Sequence, residues 1–187
     1  MKKVLFALFL MSALATAAQD KINPVVKKGS KFIYTLYTGG NTIPFTAVVD
    51  SLGTEYVKIA WNIEGIGTGG WVMKKKSLET ATHGYWSQPT AGTDEDLGDE
   101  TTVLLLSKAQ WNGLQQDKKF VYNDQTFTVK QGEQTGLKVG SKTLDAIQVE
   151  GPGGTTRLWI LNNAGFPALL KVEGNSHGVD LELTNIE

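Results

Sequence analysis

The sequence predicts a mainly β protein, built as an antiparallel sheet with two short helices. Apolar and polar residues alternate along many short segments, which is the period of a half-buried strand. Turn residues separate these segments roughly every 8 to 12 residues, and two helix-capping signals interrupt the pattern. Short turns join antiparallel strands, whereas parallel strands need long crossover connections. We therefore expect roughly eight or more strands, connected mostly as hairpins.

The N-terminus has the order of a secretory signal peptide. Two lysines at the start form a short positive region, residues 4–14 form an apolar run, and small residues then precede a polar stretch. The apolar run is shorter than the roughly 20 residues that a membrane-spanning helix needs. We predict a signal peptide at residues 1–18, with cleavage after Ala17 or Ala18, and a single β-rich domain at residues 19–187.

The amino-acid composition limits the cellular location and the binding partners that we expect for the protein. The chain has no cysteine, so it forms no disulfide and lacks the residue that is acylated in bacterial lipoproteins. It has 18 basic residues, two of them in the signal peptide, against 19 acidic ones, and no basic stripe that would bind nucleic acid. We predict a soluble protein of the periplasm or the medium, without a lipid anchor or a transmembrane span after cleavage.

Strands are predicted in chain order from the alternation. Apolar residues alternate along residues 31–37 and 42–49, and again along residues 57–63. Residues 50–53 read Asp-Ser-Leu-Gly, which places turn-forming residues at the first and fourth positions. The second and third strands should therefore form a β-hairpin. Further strands are predicted at residues 119–122, 126–130, 137–139, 143–150, 155–161, 168–172 and 179–186.

Two short helices are predicted near residues 77–83 and 107–116. Ser77 is positioned to cap the first helix, and Gly84 to end it. Ser107 and Gln110 form the S-x-x-Q pattern of a capping box, because each side chain can bond the backbone N–H of the other. The second helix should therefore begin directly after Ser107.

An acidic stretch lies between the helices. Residues 87–100 are predicted to form a surface loop, followed by a strand at residues 101–106. Asp94, Asp96 and Asp99 are hard oxygen donors of the kind that calcium prefers, which leaves a calcium site as an alternative. The spacing lacks the complete D-x-D-x-D-G loop, so we favour a solvated acidic loop and predict neither a metal nor a cofactor.

Residues 174–178 have the G-x-S-x-G spacing of a serine-hydrolase nucleophile elbow. That motif needs a sharp turn from a strand into a helix, and it needs an acid and a histidine further along the chain. Here a strand is predicted after Gly178, and no histidine follows His177. We therefore predict a hairpin loop in which Ser176 is not a nucleophile, and a protein that is not an enzyme.

Aromatic residues on the predicted strands provide the candidate binding site. Trp61, Trp71 and Trp159 either fill the core or line an apolar cavity between the sheet and the helices. In the cavity arrangement Trp159 shares its face with Arg157, whose charge would need an anionic partner such as the acidic head of an amphiphile. In the other arrangement the two strand neighbours of Trp159 face inward and Trp159 lies outside. Both arrangements stay open at this point.

Three parts of the chain resemble a family of unknown function from Bacteroidota-type cell envelopes: residues 71–81, residues 103–108, and residues 158–171 together with 179–186. In the last of these, a strand ending in Asn leads to a Pro-Ala-Leu-Leu-Lys run and to a final strand that ends in Ile. The resemblance implies a strongly curved sheet or half-barrel around one or two helices, similar to lipoprotein carriers of the LolA type. It implies no catalytic residues.

Two classes of function follow. The first is a non-catalytic envelope protein that binds an apolar or amphiphilic small molecule in the curve of its sheet. The second is a structural or assembly factor that binds another envelope protein through its surface. A continuous internal cavity favours the first class, whereas a filled core with an exposed apolar patch favours the second.

Overall fold

The computed structural model describes residues 21–130 and 136–187. The described residues form two α-helices, α1 (Lys75–Thr80) and α2 (Lys108–Gln116), and fifteen strands. The strands are β1 (Lys31–Thr38), β2 (Asn41–Leu52), β3 (Tyr56–Ile63), β4 (Gly67–Lys74), β5 (His83–Gly84), β6 (Asp94–Asp96), β7 (Thr101–Thr102), β8 (Lys119–Tyr122), β9 (Gln125–Val129), β10 (Leu137–Val139), β11 (Lys142–Leu144), β12 (Ala146–Glu150), β13 (Arg157–Leu161), β14 (Leu169–Glu173) and β15 (Val179–Ile186). The predicted signal peptide lies outside the described residues.

Eleven of the described strands form one large sheet, in the order β6-β4-β3-β2-β1-β15-β14-β13-β12-β9-β8. Neighbouring strands are antiparallel except for β4 and β6, which are parallel. The sheet is not closed into a barrel, because β6 and β8 stand at opposite ends of this order. The prediction of a mainly β, mostly antiparallel fold with two short helices is therefore confirmed. No described helix has the length and apolar character needed to span a membrane.

The hairpin of β2 and β3 is confirmed, but its turn lies further along the chain than predicted. Asp50, Ser51 and Leu52 continue β2, and a bulge between Val49 and Ser51 absorbs the extra residue. The turn begins only at Gly53, whose N–H donates to the carbonyl oxygen of Tyr56. The Asp-Ser-Leu-Gly signal was wrong about the turn position, since cross-strand pairing with β3 extends through Leu52.

In the second half of the chain, one predicted turn is confirmed and one predicted strand is divided in two. Asn123 and Asp124 form the two-residue turn between β8 and β9, with φ angles of 48° and 60°. Asn and Asp tolerate this left-handed conformation, so the prediction is confirmed. The strand predicted at residues 143–150 is instead divided at Asp145, because the N–H of Asp145 donates to the carbonyl oxygen of Ile22. A distant segment of the chain thus interrupts the strand.

Of the two predicted N-terminal helix caps, one is confirmed and the other is wrong. Ser107 caps α2 with a complete capping box, since Gln110 N–H donates to its hydroxyl and its own N–H donates to the Gln110 side chain. Ser77 does not cap α1. The N-cap residue is Lys74, and the buried Ser77 lies inside the helix with its hydroxyl bonded to the Lys74 carbonyl oxygen. Gly84 belongs to β5 and does not end the helix.

The apolar segment at residues 101–106 is not the strand that its composition predicted. Only Thr101–Thr102 is a strand, and Leu104 has a φ angle of 57°, which breaks the extended conformation. The remainder packs against the core side of the sheet, where Leu105 forms an isolated bridge with Ala168. The preceding acidic stretch contains β6 and is therefore not entirely loop.

The core lies on one face of the large sheet. The alternate residues of β3, Val57, Ile59, Trp61 and Ile63, are all buried, and so are Leu181 and Leu183 of β15. Residues 103–106 and Leu114 of α2 belong to the same cluster. The sheet face, the helix α2 and the segment before it thus enclose one continuous apolar interior.

Candidate functional site

Three hairpin turns meet at one end of the large sheet. Thr38 at the end of β1 pairs with Asn41 at the start of β2 and with Val179 at the start of β15. Ile63 at the end of β3 pairs with Gly67 at the start of β4. Because these neighbouring strands are antiparallel, the β1–β2, β3–β4 and β14–β15 turns lie side by side.

A mostly apolar cavity of about 210 Å³ opens at this end, between the buried sheet face and residues 85–89 and 103–104. Its aliphatic wall includes Leu36, Ile43, Ile63, Val103, Leu104, Leu169 and Leu181, and its aromatic wall consists of Phe45, Trp71, Tyr85, Trp86 and Tyr122. Every described side chain that lines it is uncharged at neutral pH. The cavity therefore suits an apolar group, and it offers no charge to hold an ion.

The aromatic wall is part of a larger cluster of rings. The Phe45 ring stacks on Tyr34 with centroids 5.4 Å apart and meets Trp71 edge-on at 6.0 Å. Trp71 in turn contacts Trp61 at 5.5 Å and Tyr85 at 5.7 Å. These separations lie in the range in which aromatic pairs attract each other. The rings behind the cavity thus support the orientation of the rings that face it.

The polar atoms of the aromatic wall lie close to polar partners within the chain. The Tyr85 hydroxyl donates to a Glu95 carboxylate oxygen at 2.8 Å, and burial together with this carboxylate raises the pKa of Tyr85 to about 12. Burial raises the pKa of Tyr122 further still. The Nε1 atoms of Trp71 and Trp86 are buried and lack a hydrogen bond of good geometry. The Trp71 N–H nevertheless lies close enough to the Tyr85 hydroxyl to lower the pKa of Tyr85, and the Trp86 N–H acts in the same way on Tyr122. Both tyrosines therefore stay neutral at physiological pH.

Polar side chains surround the opening of the cavity. Thr38, Ser87 and Gln88 line it and are exposed to solvent in whole or in part. Beside them, the imidazole of His177 stacks on the indole of Trp86, with ring centroids 6.4 Å apart and planes 12° apart. This contact joins the β14–β15 turn to the segment that forms the cavity wall. The opening therefore combines a polar rim with an aromatic contact between two loops.

The structure brings together only some of the predicted ligand-binding residues. Trp71 lines the cavity directly, whereas Trp61 stacks behind it and reaches the cavity only through that contact. Trp159 and Arg157 lie on the opposite face of the sheet, because their neighbours Leu158 and Ile160 are fully buried. Of the two arrangements that the alternation left open, the structure has the one with Trp159 outside.

Trp159 lies in a network of charged residues on the outer face. Its ring has the Arg157 guanidinium 5.8 Å away and the Lys171 ammonium 5.4 Å away. Both cations also pair with Glu173, at 2.6 Å and 2.8 Å. Arg157 thus has an anionic partner in the chain itself and needs no ligand to neutralise it.

The acidic residues of the calcium alternative are each paired with a different lysine. Asp94 contacts Lys58 at 2.8 Å, and Asp99 contacts Lys76 at 3.0 Å. Asp96 pairs with Lys74, which lowers the pKa of the Asp96 carboxyl. In residues 21–130 and 136–187 there is no group of three or more acidic or histidine residues arranged to hold a metal ion. The acidic and basic runs of the sequence thus face each other.

The G-x-S-x-G segment forms the turn between β14 and β15, as predicted. Gly174 and Gly178 have positive φ angles of 67° and 75°. The N–H groups of Gly174 and Asn175 donate to the Asp180 carboxylate, which holds the loop in shape. Ser176 is exposed in this turn between two strands, so the strand-to-helix geometry of a nucleophile elbow is not present there.

Sequence reasoning missed Tyr85, Trp86 and Tyr122 as cavity residues. Tyr85 and Trp86 stand in a segment without alternation, next to the stretch that was predicted as loop. Adjacent aromatic residues in such a segment are a weak signal, but they indicate that the segment packs onto an apolar surface. Tyr122 lies on the same face of β8 as Phe120, and its position at the cavity depends on the fold of the whole sheet.

Comparison with known proteins provides no relative for this site. No protein-family model, no curated protein and no solved structure matches the chain.

Proposed function

We propose that the protein is a non-catalytic protein of the bacterial cell envelope that binds an apolar or amphiphilic small molecule in the cavity at the turn end of its sheet. The observation that carries this proposal is the aromatic, uncharged wall of a cavity with a polar, solvent-facing rim. Ligand sites are typically apolar clefts with a few polar groups that orient the ligand. The cavity has that composition.

Backbone strain in the cavity wall supports the proposal. Leu104 lines the cavity with a left-handed backbone conformation, which costs a non-glycine residue about 1 to 2 kcal/mol. Strain of this kind is common at ligand sites.

Export and fold type are further parts of the proposal. The signal-peptide pattern at residues 1–18 supports delivery to the periplasm or the medium. A strongly curved sheet similar to the half-barrel of LolA-type carriers would place the aromatic wall on the concave side. The resemblance of the C-terminal segments supports that arrangement.

Calorimetric titration of the domain at residues 19–187 tests ligand binding. Decanol and decanoate are suitable probes, because they share one apolar chain and differ in the head group. Ile43→Phe on β2 places a larger, aromatic side chain in the cavity wall, whereas Val48→Phe on the same strand places the same ring on the outer face. We expect binding to the unmodified domain and to Val48→Phe, and a loss of at least about tenfold in affinity with Ile43→Phe.

A different outcome would change the functional class. If both variants bind equally well, or if neither these probes nor any smaller aromatic probe binds, the cavity is not a ligand site. The alternative is then the assembly factor, which binds an envelope partner through its surface.

A further inference from the structure

The volume of the cavity limits the size of its ligand. An apolar cavity of roughly 150 Å³ holds one benzene molecule. At about 210 Å³, the cavity takes one six-membered ring with about two or three further carbon atoms. The full chain of a long fatty acid or a phospholipid exceeds this space, so such a ligand would leave most of its length in water.

The shape of the wall favours a flat ring over a chain. Trp71 meets Phe45 edge-on and Tyr85 at a tilted angle. Trp86 and Tyr122 contribute two further rings from separate parts of the chain. A ring can stack or meet these rings edge-on, which stabilises an aromatic pair by about 0.5 to 1.5 kcal/mol beyond simple burial. A linear chain gains only the burial.

The charge of the wall excludes an ionised ligand group inside the cavity. The described lining residues carry no charge, and the nearby Glu95 carboxylate already accepts the Tyr85 hydroxyl. A carboxylate or ammonium moved into such surroundings would lose its hydration without gaining a partner. Beside His177, which stacks on Trp86, the opening is lined by the hydroxyls of Thr38 and Ser87 and the amide of Gln88, which are neutral. They can hydrogen-bond an uncharged polar tip.

We propose that the cavity selects an uncharged, single-ring molecule, such as an aromatic alcohol, with its ring against Trp71 and Tyr85 and its polar tip at Thr38 and Ser87. This proposal rests on the proposed function and makes it more specific. It replaces the acidic amphiphile that the sequence suggested, since the Arg157 that would have held the acidic head lies on the other face of the sheet.

Four probes with eight carbon atoms each separate size, shape and charge. They are 2-phenylethanol, phenylacetate, 2-phenylethylammonium and 1-octanol, titrated calorimetrically into the domain at neutral pH. We expect 2-phenylethanol to bind about tenfold or more tightly than either charged analogue, and about threefold or more tightly than 1-octanol. Ile43→Phe should weaken its binding by at least about tenfold, and Val48→Phe should leave it unchanged.

Each other outcome overturns the inference in a recognisable way. Equal or tighter binding of phenylacetate or 2-phenylethylammonium contradicts the exclusion of charge, and equal or tighter binding of 1-octanol contradicts the preference for a ring. If none of the four binds while decanol or decanoate does, the inference fails and the proposed function stands. If no probe of either set binds, both fail.

Discussion

The hydroxyl of Tyr34 on β1 donates a hydrogen bond of 2.9 Å to the carbonyl oxygen of Leu169 on β14, past the intervening strand β15. Both residues are buried. Leu169 also lines the cavity, and its N–H donates to the carbonyl oxygen of Leu104 in the opposite wall. One hydrogen-bonded chain thus joins the first strand, the fourteenth strand and the strained residue of the cavity wall.

Removal of the Tyr34 hydroxyl should destabilise the fold. Tyr34→Phe leaves a buried carbonyl oxygen without this donor, and we expect the free energy of unfolding to fall by about 1 to 2 kcal/mol. Tyr37→Phe, at an exposed position of the same strand, should change it by less than about 0.5 kcal/mol. Urea unfolding of both variants measures the difference. Equal effects at the two positions would show that the hydrogen bond contributes nothing specific.

Alkaline pH should destabilise the protein through its buried tyrosines. Burial raises the pKa of Tyr34 and Tyr122 well above the ordinary value of 10.0. Each remains neutral in the folded state while it ionises in the unfolded chain, so the stability it provides is complete below pH 10 and is lost as the pH rises above that value. The loss approaches about 1.4 kcal/mol per pH unit for each tyrosine.

A comparison of variants isolates this effect from other titrating groups. The unfolding free energy of Tyr122→Phe should fall less steeply above pH 10 than that of the unmodified protein, as measured by urea unfolding at several pH values. Parallel curves for the two proteins would contradict the prediction.

Gly174 should be far less tolerant of a side chain than Gly178. Both have positive φ angles, but a Cβ atom at Gly174 would lie 2.1 Å from the Thr155 carbonyl oxygen, whereas Gly178 has open space. We expect Gly178→Ala to cost about 1 kcal/mol from the backbone conformation alone. Gly174→Ala should cost about 2 kcal/mol or more, because the turn must also shift. Thermal and urea unfolding of the two variants measure both costs in stability. Equal costs would contradict the prediction.

Substitution of the outer tryptophan should not affect ligand binding. Trp159 lies on the face opposite to the cavity, and Trp159→Phe retains the packing of the sheet. The affinity for 2-phenylethanol should therefore stay within about twofold. Trp71→Leu removes ring contacts in the wall and should weaken binding by about fivefold or more. Calorimetry on both variants measures this, and a larger effect at Trp159 would move the site to the outer face.

Export should remove the N-terminal segment. The intact mass of the protein recovered from the periplasm or the medium should correspond to a chain that begins at Ala18 or Gln19. Recovery of an exported form that retains Met1 would contradict the predicted signal peptide.

Elements governed by neighbouring residues were predictable. The capping box of Ser107 and Gln110 needs only residues three positions apart, and the turn at Asn123 and Asp124 needs only residues that tolerate positive φ angles. By contrast, residues 101–106 have the composition of a strand but cover the interior, where the N–H of Val103 donates to the Met73 sulfur. Their partners lie in distant parts of the chain, which no local pattern identifies.

The amino-acid sequence by itself determined the mainly β character, the hairpins and the capped helix, because period-two alternation and capping act over a few residues. Only the tertiary structure decided which face of each strand is buried. On β13, Leu158 and Ile160 are buried and Trp159 lies outside, while the neighbouring strand β14 has a bulge at Leu170 opposite the Trp159–Ile160 step. The cavity depends on the same choice, since Phe45, Trp71, Tyr85 and Tyr122 become neighbours only when the sheet brings distant segments together.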